Sequence, residues 1–420
     1  MSAETFLDGR VTLHCGDSRD VLRTLPDASI HSVVCDPPYA LVSIGKRFGR
    51  PGAAPAQHGT DGLYARASAG FMGQGWDTGE TAFAVEFWGE VLRVLKPGGH
   101  VVAFGGTRSY HRLACAIEDA GFEIRDCLMW IYATGFPKSH DVAKGIDRHL
   151  GAERQVVATR RKAQSFADGQ VFGSQPDKGG MQDITAPATA AAAVVGWGTA
   201  LKPAWEPIVL ARKPLAGTVA ETVLAHGTGA LNIDGCRIGY EVRYASFSSL
   251  APCSGNALGL AGTAEARRGT QGDARPYVGR WPANVLHDGS PEVEAAFPDS
   301  AARFFYSAKA DADDRLGSKH PTVKPVDLMQ WLCRLVTPPG GVVLDPFAGT
   351  GTTGEAAWRE GFSAVLIERE VAYQADIRRR MALCLAGPAE RKRESVKARG
   401  LTPANDIGPL FSSAEEGGVE

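Results

Sequence analysis

The sequence lacks the marks of several protein classes. Its eight cysteines, at positions 15, 35, 115, 127, 236, 253, 333 and 384, include no CxxC pair. Neither a zinc site nor a disulfide framework is expected, and a reduced cytosol is the natural compartment. Long apolar runs are missing too. The longest, Ala186 to Trp197, carries Pro187 and Thr189. It covers about 12 residues where a bilayer crossing needs about 20, so no membrane association is expected. The first ten residues are acidic on balance and hold no apolar stretch, which predicts no secretory signal. No repeat of fixed period is visible. An excess of one charge is absent as well, since 45 Lys and Arg face 47 Asp and Glu for a net charge of −2. Taken alone, that argues weakly against a nucleic-acid binder, which usually carries a basic domain. By region the balance is −3 for residues 1–134, +2 for 135–320 and −1 for 321–420.

What is present is a globular composition. The 420 residues are 44% apolar and 22% charged, ample for a sizeable core. Residues 1–134 read as α/β. Val11 to Cys15 and Ser29 to Cys35 are short apolar runs, ending at Gly16-Asp17 and at Asp36-Pro37-Pro38-Tyr39. A proline pair cannot continue a strand ladder, so Asp36 is placed at the carboxyl end of a strand, where α/β sheets bind ligands. Phe83, Phe87, Val91, Leu92 and Leu95 have helical spacing within 81–95, and Lys96-Pro97-Gly98-Gly99 is expected to stop that helix. His100 to Phe104 is a predicted strand. Thr107 is expected to cap the next helix, Gly121 to end it, and Phe122 to Tyr132 to form another strand. Residues 135–318 are rich in Gly, Pro, Ala and Ser with weak periodicity, which predicts an irregular inserted region. Residues 319–387 return to α/β texture: a helix over 325–336, a strand Val342 to Asp345, a helix over 352–360 and a strand ending at Glu368. Residues 388–420 are charged with few apolar anchors, and a disordered tail is expected.

Two motifs carry chemistry. The first is Asp345-Pro346-Phe347-Ala348-Gly349-Thr350-Gly351-Thr352-Thr353-Gly354, with Glu368 following 23 residues after Asp345. Glycines let backbone approach a ligand, and an acid ending the next strand can accept bonds from ribose hydroxyls. The unit points to a nucleoside-containing ligand without choosing it, and a tight turn needing glycine only for its dihedrals is the plainer alternative. The second is Asp36-Pro37-Pro38-Tyr39. A base amino group is a poor nucleophile because its lone pair is delocalised into the ring. A carboxylate and a backbone carbonyl accepting both N–H bonds would draw the nitrogen toward tetrahedral geometry. The aromatic neighbour offers a stacking plane for a base taken out of the helix. A rigid strand-end turn is the alternative reading.

With these motifs the sequence resembles the amino-group DNA methyltransferases, which use S-adenosylmethionine to make N6-methyladenine or N4-methylcytosine. The order, with Asp36-Pro37-Pro38-Tyr39 first, a variable region second and the glycine loop last, looks like the family's beta group. Segments such as Trp130 to Lys138, Gly196 to Pro203 and Gly227 to Asn232 look like those of phage and prophage members. The resemblance implies a Rossmann-like α/β fold, a mostly parallel doubly wound sheet with one reversed strand and circularly permuted motif order. Residues 1–134 and 319–387 would form its catalytic and cofactor halves, and 135–318 an inserted target-recognition domain. It assigns target-amino contact to Asp36, Pro37, Pro38 and Tyr39. It assigns the cofactor to Asp345, Phe347, Gly349, Gly351, the ribose-binding Glu368, and Asp17, which matches an acid contacting the cofactor's adenine. Within His320-Pro321-Thr322-Val323-Lys324-Pro325, Thr322 and Lys324 would help hold the methionine end. Leu95 to Val102 matches the strand after the catalytic loop.

The implied activity is site-specific methyl transfer to adenine N6 in double-stranded DNA by base flipping, since Asp at the first motif position goes more often with adenine. Cytosine N4 is the alternative, and no metal is called for. A nicotinamide-dependent oxidoreductase fits only the glycine spacing, and a DNA-binding protein with a degenerate site fits poorly with intact motifs. A homodimer and a separate restriction endonuclease are left open by the resemblance. Trp76-Asp77 and Phe305-Tyr306 are candidates for gripping the flipped base, with core packing the plainer reading. Arg160-Arg161-Lys162, Arg212-Lys213 and Arg267-Arg268 are candidates for phosphate contact, and Arg391 to Glu394 reads as solvated tail.

Overall fold

The computed structural model describes residues 2–39, 81–133, 135, 139–161, 181–244, 276–307, 312–318, 320 and 322–398. Trp76-Asp77, Lys162, Arg267-Arg268 and residues 399–420 lie outside them. In chain order the strands of the first stretch are β1 (Ser2–Phe6), β2 (Val11–Cys15), β3 (Ile30–Cys35), β4 (Leu95–Phe104) and β5 (Glu123–Ile131). The middle stretch gives β6 (Val156–Arg161), β7 (Met181–Thr185), β8 (Trp205–Arg212), β9 (Ile238–Tyr244), β10 (Pro276–Arg280), β11 (Val285–His287) and β12 (Tyr306–Ser307). The last stretch gives β13 (Val342–Asp345) and β14 (Ser363–Glu368). The helices of the first stretch are α1 (Ser18–Leu22), α2 (Val85–Val94) and α3 (Tyr110–Asp119). Those of the middle are α4 (Val142–His149), α5 (Val219–His226) and α6 (Pro291–Ala296). The last four are α7 (Val326–Val336), α8 (Thr352–Arg359), α9 (Val371–Leu383) and α10 (Pro388–Ala398).

Among the described residues, ten strands form one mixed sheet in the order β1-β2-β14-β13-β3-β4-β8-β5-β11-β12. From β2 to β4 every pairing is parallel. β8 runs antiparallel to both β4 and β5, and β1 antiparallel to β2. Two strands are therefore reversed where one was expected. A parallel strand buried on both faces needs apolar residues at successive positions, as in Val33-Val34-Cys35 and Val101 to Phe104. Alternate residues then serve opposite layers. Val34, Val102 and Phe104 pack with α7, α8 and α9. Val33, Cys35, Val101 and Ala103 pack with α1, α2 and α3. Each layer is anchored by a fully buried tryptophan, Trp331 and Trp88. Such large side chains contribute on the order of 2 to 3 kcal/mol each from burial.

Several expectations are corrected. The 135–318 stretch does not stand apart from the sheet: it supplies β8 between β4 and β5, and β11 and β12 at the edge. Its strand β8 escapes a period-two reading because Pro207 to Arg212 is buried on both faces. The helix ahead of Lys96 to Gly99 does stop, at Val94, but the strand after it begins at Leu95 and runs through that segment rather than starting at His100. Ser109, not Thr107, stands at the start of α3. The tail is helical as far as Ala398, where Arg391 pairs with the buried Glu355 at 2.8 Å and bonds Leu383 O at 3.1 Å. Arg212 and Lys213 are occupied structurally. Arg212 bonds Glu123 at 2.6 Å, and Lys213 Nζ donates to Leu92 O and Leu95 O at 2.7 Å. No described helix is long and apolar enough to cross a membrane.

One ion pair ties the C-terminal helices to the glycine loop. Arg380 of α9, 1% exposed, donates to Glu355 Oε2 of α8 at 2.7 Å and to Thr350 O at 2.8 Å. It also bonds Asp314 O. Removing the guanidinium leaves Glu355 Oε2 and the buried Thr350 carbonyl without this donor, while Arg359 and Arg391 still pair with Glu355 Oε1. Arg380→Ala is expected to lower unfolding stability by about 2 kcal/mol in a urea titration.

Candidate active site

The site begins with two strands that stop at the same edge. β13 ends at Asp345 and its neighbour β3 at Cys35, with Leu344 in register with Val33. Both chains therefore release their loops on one side of the sheet, although more than 300 residues separate them. The carboxyl ends of adjacent parallel strands form the crevice where α/β sheets hold ligands.

On the β13 side, Asp345 is buried and shapes the loop from within. Its Oδ1 accepts from Phe347 N at 3.0 Å and its Oδ2 from Thr353 Oγ1 at 2.5 Å. Gly349 and Gly351 have φ of +52° and +78°, which L side chains rarely adopt. A Cβ on Gly351 would come within 3.1 Å of Ile377, so the turn also needs glycine for close packing against α9. Glu368, at the end of β14, closes the loop. Its Oε2 accepts from Gly349 N and its Oε1 from Glu370 N, both at 2.8 Å. The carboxylate is thus aimed by backbone, with lone pairs left for a ligand's hydroxyls. Phe347 is half-buried against Phe87, with ring centroids 5.2 Å apart.

Asp17 stands at the end of β2, one strand further out, where Gly16 N donates to Glu368 O at 3.0 Å. Arg19 clasps it with both Nε at 3.0 Å and Nη2 at 2.8 Å, and these bonds hold its carboxyl below the ordinary range. His320 lies over Gly349, T-shaped to Tyr373 at 4.4 Å. Its Nδ1 meets the backbone of the exposed Thr322, at 3.0 Å from O and 3.2 Å from N. Thus Asp345, Phe347, Gly349, Gly351, Glu368 and Asp17 share the ends of three neighbouring strands, with Thr322 beside them through His320.

On the β3 side, Asp36, Pro37, Pro38 and Tyr39 run directly off the strand. Ser109 Oγ donates to Tyr39 O at 2.7 Å and fixes the loop to the start of α3. Lys324, only 6% exposed, reaches this loop. Its Nζ is 2.8 Å from Asp36 Oδ2, 3.0 Å from Glu206 Oε2 and 3.0 Å from Tyr39 OH. Tyr39 OH donates to Glu206 Oε2 at 2.9 Å. The ammonium also lies 4.6 Å from the centre of the Phe104 ring. Burial favours the neutral amine, but Asp36 and Glu206 outweigh it and hold Lys324 protonated. Burial, then the charges of Asp36 and Glu206, keep the Tyr39 phenol neutral well above its ordinary pKa. Among the described residues, Asp36 Oδ1 is buried and has no hydrogen-bond partner, an acceptor left open beside the crevice.

Sequence reasoning missed Glu206, Trp130 and Tyr132. Trp130 sits in register with Glu206 across β5 and β8, and its ring lies 5.2 Å from Tyr132. The available signal was an acid between Trp205 and Pro207 ahead of a run of apolar residues. Tyr306 goes to packing: it stacks on Trp331 at 5.2 Å, and its hydroxyl donates to Asp327 O at 3.2 Å.

In this geometry a glycine loop at the end of β13 adjoins a carboxylate-proline-aromatic loop at the end of β3, the α/β arrangement of an enzyme site. Comparison with known proteins carries it further. Residues 30–379 match the family model N6_N4_Mtase, described as DNA methylase, and the chain belongs to that family. It is 24% identical over 362 residues to the type II methyltransferase M.HindIII of Haemophilus influenzae, covering 82% of this chain and 86% of that one. Among solved structures, the cytosine-N4-specific PvuII DNA methyltransferase aligns over 94% of both chains at 15% identity and a TM-score of 0.42. The M1.HpyAVI–SAM complex covers 88% of this chain and 98% of its own, at 14% identity and a TM-score of 0.38.

The buried carboxyls give a pH dependence. Burial, only partly offset by backbone and hydroxyl donors, pushes both Asp345 and Glu368 up to about 7. The native state then binds a proton more tightly than the unfolded chain does. The contribution of Glu368 is full below its unfolded pKa near 4.5 and is lost as pH rises through about 7. The stability difference between the wild type and Glu368→Gln, read from thermal unfolding, should therefore fall from pH 5 to pH 8. A difference that is flat in pH would refute the assignment.

Proposed function

We propose that this chain transfers a methyl group from S-adenosylmethionine to the exocyclic N6 of adenine in double-stranded DNA, with the base flipped from the helix. The observation that carries the reading is the open, buried Asp36 Oδ1 at the end of β3, next to the glycine loop of β13. The cofactor's adenosine fits the residues present. Glu368, aimed by Gly349 N and Glu370 N, would take the ribose hydroxyls, and Phe347 and Asp17 would flank the adenine. When bound, S-adenosylmethionine supplies an electrophilic methyl on a sulfonium, a donor already activated.

The protein's part is positioning. Asp36 Oδ1 and the Pro37 carbonyl accept the two N–H bonds of the target amino group and localise its lone pair. Asp36 Oδ1 is also placed to take the proton that the nitrogen sheds once methylated. Tyr39, neutral at any working pH, offers its ring face to the base. Asp36 rather than Ser at the head of the motif favours adenine over cytosine. β3 preceding β13 in the chain supports the circularly permuted order, with the middle stretch in the place of the target-recognition region.

Expression in a methylation-free host followed by nucleoside analysis of its DNA is expected to yield N6-methyladenine. N4-methylcytosine would move the assignment to the other base, and unmodified DNA would refute the activity. Asp36→Ala should lower methyl transfer by at least about a hundredfold, the scale of losing a preorganised polar contact. Its cofactor affinity, measured by calorimetry, should change little. Wild-type turnover in that variant would sink the role of Asp36.

A further inference from the structure

Lys324 and Glu206 belong to neither loop, yet they meet at the one point where Asp36 is held. Lys324 comes from the segment ahead of α7, and Glu206 from β8 of the middle stretch. Because β8 runs antiparallel to β4, its first residues lie beside the end of β4, where Gly105 N donates to Pro207 O at 2.9 Å. Glu206 is thereby brought to the mouth of the crevice.

The three donors of the ammonium match three acceptors: Asp36 Oδ2, Glu206 Oε2 and Tyr39 OH. Tyr39 OH in turn donates its hydrogen bond to Glu206 Oε2, so the ring closes on itself. Of the Asp36 oxygens, the ring engages Oδ2 and leaves Oδ1 without a partner. One oxygen is pinned and the other is presented, which fixes the plane of the carboxylate. A lysine at this depth opposite Asp36 alone would carry a strong, undiluted pull on that carboxylate. Glu206 shares the charge and balances the ammonium between two carboxylates.

We propose that Lys324 and Glu206 are a positioning pair, with Lys324 pinning Asp36 Oδ2 so that Oδ1 faces the target amino group and Glu206 holding Lys324 in that pose. This rests on the methyltransferase reading and changes the role of Lys324, which resemblance alone would place at the methionine end of the cofactor. Neither residue need touch the reacting atoms. Their effect should appear in kcat, since a misplaced acceptor weakens the transition state more than ground-state binding.

The test compares the wild type with Glu206→Gln, Lys324→Met and the double variant on a methylatable DNA duplex. Thermal unfolding and cofactor affinity are measured alongside. Each single variant is expected to lose about 30- to 100-fold in kcat, the scale of a misplaced reacting group. Cofactor affinity and the KM for DNA should stay within about threefold. The double variant should be no worse than Lys324→Met, because both residues serve one contact. A Lys324→Met variant that mainly loses cofactor affinity would overturn the proposal in favour of a methionine-end role. A Glu206→Gln variant with wild-type kcat would overturn it outright. If Lys324→Met does not fold, Lys324→Arg keeps the charge but alters the donor geometry, and the same division between kcat and affinity decides. A wild type that methylates no DNA refutes the methyltransferase reading and the pair with it.

Discussion

The parallel pairing of β3 with β13 is the constraint on which the site depends. Leu344 lies beside Val33, and both strands end within two residues of that pair. Parallel neighbours release their loops at the same edge, so a carboxylate-proline loop and a glycine loop from opposite ends of the chain must face each other. The pairing is costly to nucleate because loop closure over such a separation lowers chain entropy substantially. It is offset by burial on both faces of the sheet. Val33, Cys35 and Leu344 fill one layer, while Val34 and Val343 fill the other. No local interaction could place these loops together, and no local sequence window records it.

Two electrostatic regimes sit side by side in the resulting crevice. Around the glycine loop, burial dominates, and Asp345 and Glu368 are pushed toward neutrality near physiological pH. At the other loop an ammonium is present, and charge is retained: Lys324 stays protonated between Asp36 and Glu206. The difference follows both partners and depth, since Asp36 and Glu206 are only partly buried while Asp345 and Glu368 are buried. Asp345 meets only a hydroxyl and an amide, whereas Asp36 meets a full positive charge.

Much of this was legible in the sequence where chemistry and local order coincide. Asp36-Pro37-Pro38 had to end a strand, Gly349 and Gly351 had to turn, and the apolar periodicity of α7 appears in full as Leu328, Trp331, Leu332 and Leu335. What escaped was non-local. β8 lies in a stretch that reads as loop-rich, and its continuous burial gives no alternation to detect. Glu206 could not be connected with Lys324 by any spacing, since the two lie 118 positions apart. Arg212 and Lys213 read as a surface basic cluster, but their partners Glu123, Leu92 and Leu95 come from other elements. α10 lacks an apolar face and is anchored by the ion pair of Arg391 with Glu355, a contact that composition does not reveal.

The near-zero net charge takes on meaning only when resolved to the site. Asp36, Glu206 and Lys324 together leave one formal negative charge at the mouth of the crevice. Under the proposed reaction the target nitrogen gains a positive charge as it accepts the methyl group. A buried negative remainder, already fixed in place by hydrogen bonds, stabilises that charge without reorganising water. Lysine between two carboxylates leaves the cluster formally negative on balance, with Asp36 held through Oδ2. Under that reading Asp36 would draw part of its electrostatic setting from Glu206 of the middle stretch, so the site would not be built by the two flanking halves alone.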